Sequence, residues 1–295
     1  MTSKKSVIGF LYSGKNLGKE EKMFLELAKK KNIELIPINI FKRIDEKEFR
    51  EQIKKCDLIY NNTAEDFVIE YIKTIEEFGK KVIDNSRLYY YTEDKWMFYV
   101  KCQEHNIPTI NTILLSENLN IAKKELEDFN HWPVVLKRVV GTMGEYVEKA
   151  ENPEQAVRVI KKFWKKGSEK IPIIAQEMVL SPSYRITIIN KKIVQTAIKT
   201  SKTWKATGVH GKTFKKFKID SDLKKIVDKV VKAVKINICG IDLLKKDGKW
   251  LVLEVNSEPA FDFFENEREK LVDLTLNFLK QACINQKNKK AHYKK

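Results

Sequence analysis

The stretch from Gly240 to Pro259 constrains the fold more than any other part of the chain. Two apolar runs of strand length, Ile238 to Leu244 and Trp250 to Val255, flank Lys245, Lys246, Asp247, Gly248 and Lys249, a pattern that predicts a β-hairpin. Asp242, Glu254 and Asn256 are set into or just beyond those runs. Carboxylates in apolar surroundings are costly unless paired, protonated or metal-bound, and an all-oxygen donor set suits a hard cation such as Mg2+. The period of two puts Glu254 and Asn256 on one strand face. A two-residue Asp247-Gly248 turn would set Asp242 opposite Leu253, on the other face, and would remove the three-ligand site. One-site chemistry therefore requires an odd-length loop that places Asp242 opposite Glu254. A plain hairpin whose acids reach solvent is the alternative.

At 295 residues and 42% hydrophobic content, the chain can bury two or three cores and reads as globular. It holds no apolar run of about eighteen residues. Met1 to Lys5 lead into a strand-like segment without a secretory signal, so a cytoplasmic, membrane-free location is expected. Cys56, Cys102, Cys239 and Cys283 form no Cys-x-x-Cys pair, and His105, His131, His210 and His292 do not cluster, which removes zinc and Cys/His catalysis. The net charge of +17 suggests polyanion binding. Its carriers are mostly lysines spread along nearly every helix, however, where phosphate and base recognition favours Arg. A dedicated nucleic-acid function is therefore disfavoured, while attraction of acidic ligands is expected.

Residues 7–11, 34–40, 57–60 and 80–83 read as strands alternating with helices, including one whose Met23, Phe24, Leu27 and Ala28 share a face. This is an open α/β start. The loop Ser13 to Lys19 resembles a phosphate loop only superficially, because its glycine spacing is one residue short and Glu20 follows the Lys. A helix carrying Asp94, Lys95 and Trp96 ends at Asn106-Ile107-Pro108. Then come a strand over 133–140 with Lys137 inside it, the loop Gly141-Thr142-Met143-Gly144, a helix over 153–166 and a strand over 172–175. A hairpin about Asn190 and Lys191, a helix over 221–236 and a closing helix over 268–283 complete the pattern. The polar tail from Asn285 reads as disordered.

An unpaired ammonium at Lys137 would be expensive mid-strand, and a phosphate would satisfy it. The glycines after it would let backbone amides approach the same anion. An edge-strand Lys reaching solvent is the plainer alternative.

The order of parts is a Lys, a strand Lys, a small Gly loop, Gln176-Glu177-Met178-Val179 and the acid hairpin. Over about residues 80–280 it resembles the ATP-grasp superfamily and, within it, the RimK-type amino-acid ligases. Gly240-Ile241-Asp242-Leu243-Leu244 with Leu253-Glu254-Val255-Asn256-Ser257-Glu258-Pro259 is the strongest match. The resemblance implies an α/β (α+β) fold with a pre-ATP-grasp domain over 1–92, a central subdomain over 93–175, a C-terminal subdomain over 176–284 and a basic tail over 285–295. It implies that Asp242, Glu254 and Asn256 hold two Mg2+ ions, or Mn2+, with Glu254 bridging. It assigns Lys95, Lys137, Gly141, Thr142 and Gly144 to the ATP phosphates, and Gln176, Glu177, Met178 and Val179 to the adenine. Arg185 and Lys205 take catalytic positions.

Three departures stand out. Tyr146 replaces a usual Gly, Ser183 stands where an acid often meets the ribose, and Ser257-Glu258-Pro259-Ala260 with Phe261, Phe263 and Phe264 alters the segment that normally borders the acceptor. The expected activity is ATP-dependent ligation of a carboxylate to an amine through an acyl phosphate, with a glutamate-like amino acid added to an acidic metabolite, cofactor or protein. A nucleotide-binding protein that has lost ligation and a polyanion- or RNA-binding module are the alternatives. Oligomeric state is not legible.

Overall fold

The first seven elements alternate strand and helix, because each apolar strand needs a helical cover before a parallel neighbour can join it. They are β1 (Ser6–Tyr12), α1 (Lys19–Lys30), β2 (Ile33–Asn39), α2 (Glu46–Lys55), β3 (Leu58–Asn61), α3 (Val68–Glu77) and β4 (Val82–Ile83). The sheet is parallel in the order β2-β1-β3-β4. Phe24, Leu27 and Ala28 of α1 are buried, as the apolar face predicted, and Asp45 caps α2 by accepting from the Glu48 amide. This computed structural model describes residues 5–141, 144–165, 170–200, 204 and 213–292.

Helices α4 (Ser86–Thr92) and α5 (Lys95–Glu104) lead into β5 (Thr112–Leu115), α6 (Leu119–Phe129), β6 (Val134–Arg138), β7 (Val147–Ala150), α7 (Pro153–Lys165) and β8 (Ile173–Glu177). The strands form an antiparallel sheet, β5-β8-β6-β7. Leu126, Ile160 and Phe163 from α6 and α7 bury against Val134, Leu136 and Ile173. Five further strands and two helices follow: β9 (Ser183–Ile189), β10 (Lys192–Thr200), β11 (Thr213–Lys215), α8 (Ser221–Val234), β12 (Ile238–Lys246), β13 (Lys249–Asn256) and α9 (Glu265–His292). The third sheet runs β11-β10-β9-β12-β13, antiparallel throughout. Val227 and Val230 of α8 pack on Ile186, Ile241 and Leu243. The second and third sheets are stitched where Val252 donates to the Pro108 carbonyl (2.8 Å) and Thr109 Oγ1 donates to the Val252 carbonyl (2.8 Å).

The hairpin departs from expectation in one respect. Asp242 does face Glu254, but the loop is the two-residue Asp247-Gly248 turn, with φ of 49° and 76°, and no odd-length loop exists. A bulge supplies the missing residue. Leu243 pairs with Val252 and Asp242 with Glu254, so Leu253 and Glu254 together oppose Asp242. Parity counted from the turn alone omits such a slip, which is why the two-residue turn leaves the three side chains together.

The chain end differs as well. Helix α9 continues to His292 where a disordered tail was expected after Asn285. The segment contains no Gly or Pro, and Lys287 pairs with Asp57 at 2.7 Å, which anchors the added turns. Leu271, Val272, Leu276 and Leu279 of this helix pack with Ile8, Phe24 and Leu27 of the first unit. The four cysteines are buried and free. Among the described residues, no helix is long and apolar enough to cross a membrane.

Candidate functional site

Asp242 lies mid-strand on β12, and its cross-strand partners are Arg185 on β9 and Glu254 on β13. Arg185, Asp242 and Glu254 therefore form one row across three strands. Arg185 Nη1 donates to Asp242 Oδ2 at 2.9 Å, Lys199 Nζ stands 3.2 Å from Oδ1, and Asn256 Nδ2 donates to Oδ2 at 3.2 Å. Arg185, Lys199 and Asp242 are all buried. Burial pushes the Asp242 carboxyl up, but Arg185 and Lys199 outweigh it and hold the group below the usual carboxylate range. Arg185 reaches this position because Gly240 has no side chain, since a Cβ there would fall on the guanidinium. Its Nη2 also donates to the carbonyls of Glu258 and Pro259, each at 3.2 Å.

Lys199 is the functional residue the sequence reading missed. It shares the buried parity of Gln195 and Ala197 on β10, so a Lys in phase with an inward Ala was the available signal. Glu254 is only half-buried and makes no hydrogen bond or ion pair among the described residues. No trio of His, Cys, Asp or Glu side chains gathers among the described residues, so the oxygen donors here are two carboxylates and one amide. Oxygen ligands of this kind fit a hard cation.

Lys137 projects from β6 toward this row. Burial lowers its ammonium to about 8, Glu254 and Asp242 offset part of that, and Lys95 adds repulsion. No hydrogen bond or ion pair forms at Lys137 Nζ among the described residues. Lys95, at the start of α5, donates from Nζ to the Gly141 carbonyl at 2.7 Å, while its amide donates to the Val139 carbonyl at 2.9 Å. The second lysine thus ties down the base of the Gly loop. Gly141 and Gly144 have φ of 131° and 75°, in the region that favours glycine. Thr142 and Lys205 lie outside the described residues. Tyr146, also at positive φ, turns away from the loop, with Arg138 3.6 Å above its ring centroid and Phe163 edge-on at 5.7 Å.

A narrow apolar cleft opens beside Lys137, between the second and third sheets. Val135, Val147, Met178, Val179, Leu244 and Leu253 are among its walls, and Gln176, Glu177 and Ser183 supply polar groups. Leu253 and Glu254, consecutive in sequence, both serve the site because the bulge lies between them and the regular ladder. Gln176 Nε2 donates to Thr112 Oγ1 at 3.0 Å, and its buried Oε1 has no partner among the described residues. Glu177 is held by Lys246 and by Asn111 Nδ2 at 2.9 Å. Ser183 is fully buried, with its Oγ unpaired among the described residues. A flat apolar slot with orphaned polar atoms and a desolvated ammonium at one end suits a planar base bearing an anionic tail.

On the far side of Arg185 the electrostatics reverse. Burial raises Glu258 to about 7, with the neighbouring charges of Glu20, Glu21 and Asp262 adding to the rise and Arg185 opposing it. Glu20 is raised too, first by burial, while Asn62 Nδ2, 3.4 Å away, works against that.

The residues 92–280 match the RimK-like ATP-grasp domain model. A probable alpha-L-glutamate ligase from Haemophilus influenzae (strain PittEE) is 23% identical over 231 residues, covering 77% of this chain and 75% of that protein. A protein of the same description from Coxiella burnetii (strain Dugway 5J108-111) is 31% identical over 155 residues, so the chain spans about half the length of that relative, with 50% of each covered. The crystal structure of a RimK domain ATP-grasp protein from Sphaerobacter thermophilus superposes with a TM-score of 0.73 at 12% identity, over 92% of this chain and 99% of that one.

Proposed function

Since the chain belongs to the RimK-like ATP-grasp family and is an ATP-dependent ligase, we propose that it joins a carboxylate to an amine through an acyl phosphate. The observation that carries this reading is Lys137, a desolvated ammonium without a partner among the described residues at the mouth of an apolar slot, facing the Asp242–Glu254 row. The slot between Met178, Val179, Leu244 and Leu253 takes the adenine, and Gln176 Oε1 and Ser183 Oγ offer it and the ribose polar contacts. Lys137 and Lys95 bind the phosphates, with Gly141, Thr142 and Gly144 closing over them by their backbone amides. On binding, Lys95 exchanges the Gly141 carbonyl for phosphate oxygen, which frees the loop to close. Glu254 and Asn256, with Asp242, would hold Mg2+, which when bound would supply neutralisation of phosphate charge for in-line attack of the carboxylate on the γ phosphorus. Arg185, fixed by Asp242 and two carbonyls, orients an oxygen of the carboxylate or of the acyl phosphate. Lys205, which falls where many family members carry an Arg, would meet the terminal phosphate. Glutamate as the added amino acid is suggested by the descriptions of the two relatives.

Glu254→Gln tests the assignment, because this carboxylate has no partner to lose among the described residues. Thermal unfolding should stay within about 0.5 kcal/mol of wild type. ADP release dependent on both an acid and an amine should fall about 100-fold or more, as when one electrostatic transition-state contact is removed. Nucleotide turnover indifferent to every amine, or unchanged in Glu254→Gln, would count against the reading.

A further inference from the structure

A cavity of about 780 Å3 opens among α4, α5 and α8, and none of the residues assigned above to ATP or metal lines it. Among the described residues its cations are Arg87 from α4, Lys101 from α5, and Lys229, Lys232 and Lys235 from α8 and its cap, set against one acid, Glu104. Glu104 is already engaged by Lys101 at 2.5 Å, and Lys229 donates to the Asn106 carbonyl at 3.3 Å. Arg87, Lys232 and Lys235 form no ion pair or hydrogen bond among the described residues, so three like charges share one space without a counter-charge. Helix dipoles account for part of this, since Lys101 and Lys232 lie in the last turns of α5 and α8. They do not account for Arg87. It is the second residue of α4, where the dipole disfavours a cation, and it lines the same cavity.

The lining also selects among anions. Helix α8 ends in the cavity, and the last carbonyls of a helix have no partner within it. Such carbonyls repel phosphate oxygens and accept from N–H groups. The ring of Tyr91, on which a nucleobase would stack, is flanked by Lys101 at 5.1 Å and by Tyr90 edge-on at 5.5 Å. Leu88 and Val234, both buried, give the cavity an apolar floor on which aliphatic stems can rest. Carboxylates, N–H groups and short aliphatic stems occur together in an acidic peptide, and the volume is that of a site for a small or short ligand.

We propose that this groove docks a short acidic segment of a polypeptide partner, with its carboxylates on Arg87, Lys232 and Lys235, its backbone N–H groups on the end of α8 and its side-chain methylenes on Leu88 and Val234. The docking site is separate from the ligation chemistry. Lys95 and the groove residue His105 mark the two ends of α5, about 15 Å apart by helix rise, so a segment held here does not occupy the phosphate positions.

Fluorescence anisotropy of labelled hexaglutamate, titrated with the full chain at about 0.1 M salt, tests the proposal. Binding should be saturable and should weaken about tenfold or more in Arg87→Glu/Lys232→Glu. It should be unchanged in Lys161→Glu/Lys165→Glu, which reverses the same amount of charge on α7. All four side chains are exposed, so thermal unfolding and Mg-ATP binding should match wild type in both variants. If the reversed pair does unfold the chain, Arg87→Gln/Lys232→Gln makes the same comparison. Equal weakening in the α4/α8 and α7 variants would mark general attraction to a basic surface and overturn the site, as would the absence of saturable binding. Displacement of the probe by tripolyphosphate or hexathymidylate at lower concentration than by unlabelled hexaglutamate would make the ligand a phosphate or a nucleic acid and overturn the peptide.

Discussion

Replacing Lys137 by Met should make the protein more stable and unable to use ATP. Met keeps the length and apolar stem of the side chain and removes the ammonium. A fall in the Lys137 pKa from 10.5 to about 8, at about 1.4 kcal/mol per tenfold change in proton affinity, is about 3 kcal/mol, reduced to about 2 because the side chain is only half-buried. The sign follows from proton counts. Below pH 8 both states hold the proton, and the folded state bears the whole penalty. Between about 8 and 10.5 the unfolded chain binds more protons, so wild-type stability rises with pH, and beyond 10.5 the penalty is gone. Urea unfolding should therefore show Lys137→Met ahead of wild type by about 2 kcal/mol at pH 7, with the gap closing by pH 10.5. Near 100 times its dissociation constant Mg-ATP should stabilise wild type by about 2.7 kcal/mol and the variant far less. A variant less stable than wild type at pH 7, or a gap that ignores pH, would refute the view of Lys137 as a desolvated cation awaiting phosphate.

Asp242→Asn leaves Arg185 and Lys199 buried without their shared counter-ion, and should cost about 3–5 kcal/mol in chemical denaturation. Because the Asp242 carboxyl is held below its ordinary range, the stability it supplies is present above about pH 4 and disappears as pH falls through the lowered value. The Asn variant should flatten that acid limb, and a limb as steep as wild type would argue against the pairing. Gly240→Ala drives a methyl group into the Arg185 guanidinium. It should cost about 1–3 kcal/mol and lower ligation, and unaltered stability would show that Arg185 does not lie over Gly240.

The parallel start, the hairpin at Asn190-Lys191 and the acid hairpin were legible because period-two and period-3.6 patterns report burial directly. The family-level conclusion was legible for a different reason, namely a fixed succession of charged residues in apolar settings. Short elements such as α4 and β7 were not, since Ser86–Thr92 and Val147–Ala150 owe their form to neighbours more than to local pattern. The same holds for Lys199, whose partner Asp242 lies forty-three residues on and becomes adjacent only through the β10-β9-β12 pairing. The electrostatic effect of Glu20 on Glu258 was least accessible. Glu20 read as evidence against a phosphate loop, and its meeting with Glu258 depends on how α1 packs near Phe261, whose ring centroid is 6.5 Å from that of Phe24.

The slip at Leu253 divides the β12–β13 hairpin into two segments that need not keep a common phase. Inner rungs, from Gly240 to Asp242, are held from the other side by β9. Of the outer rungs, Leu243 still pairs with Tyr184 of β9, and from Leu244 to the Asp247-Gly248 turn the two strands pair in the ladder with each other. A residue gained or lost toward the tip can thus be absorbed where the ladder already skips, without carrying the acids to the opposite face. The tip of this hairpin is where an inserted tag or peptide should be tolerated, a few residues from chemistry that tolerates no displacement.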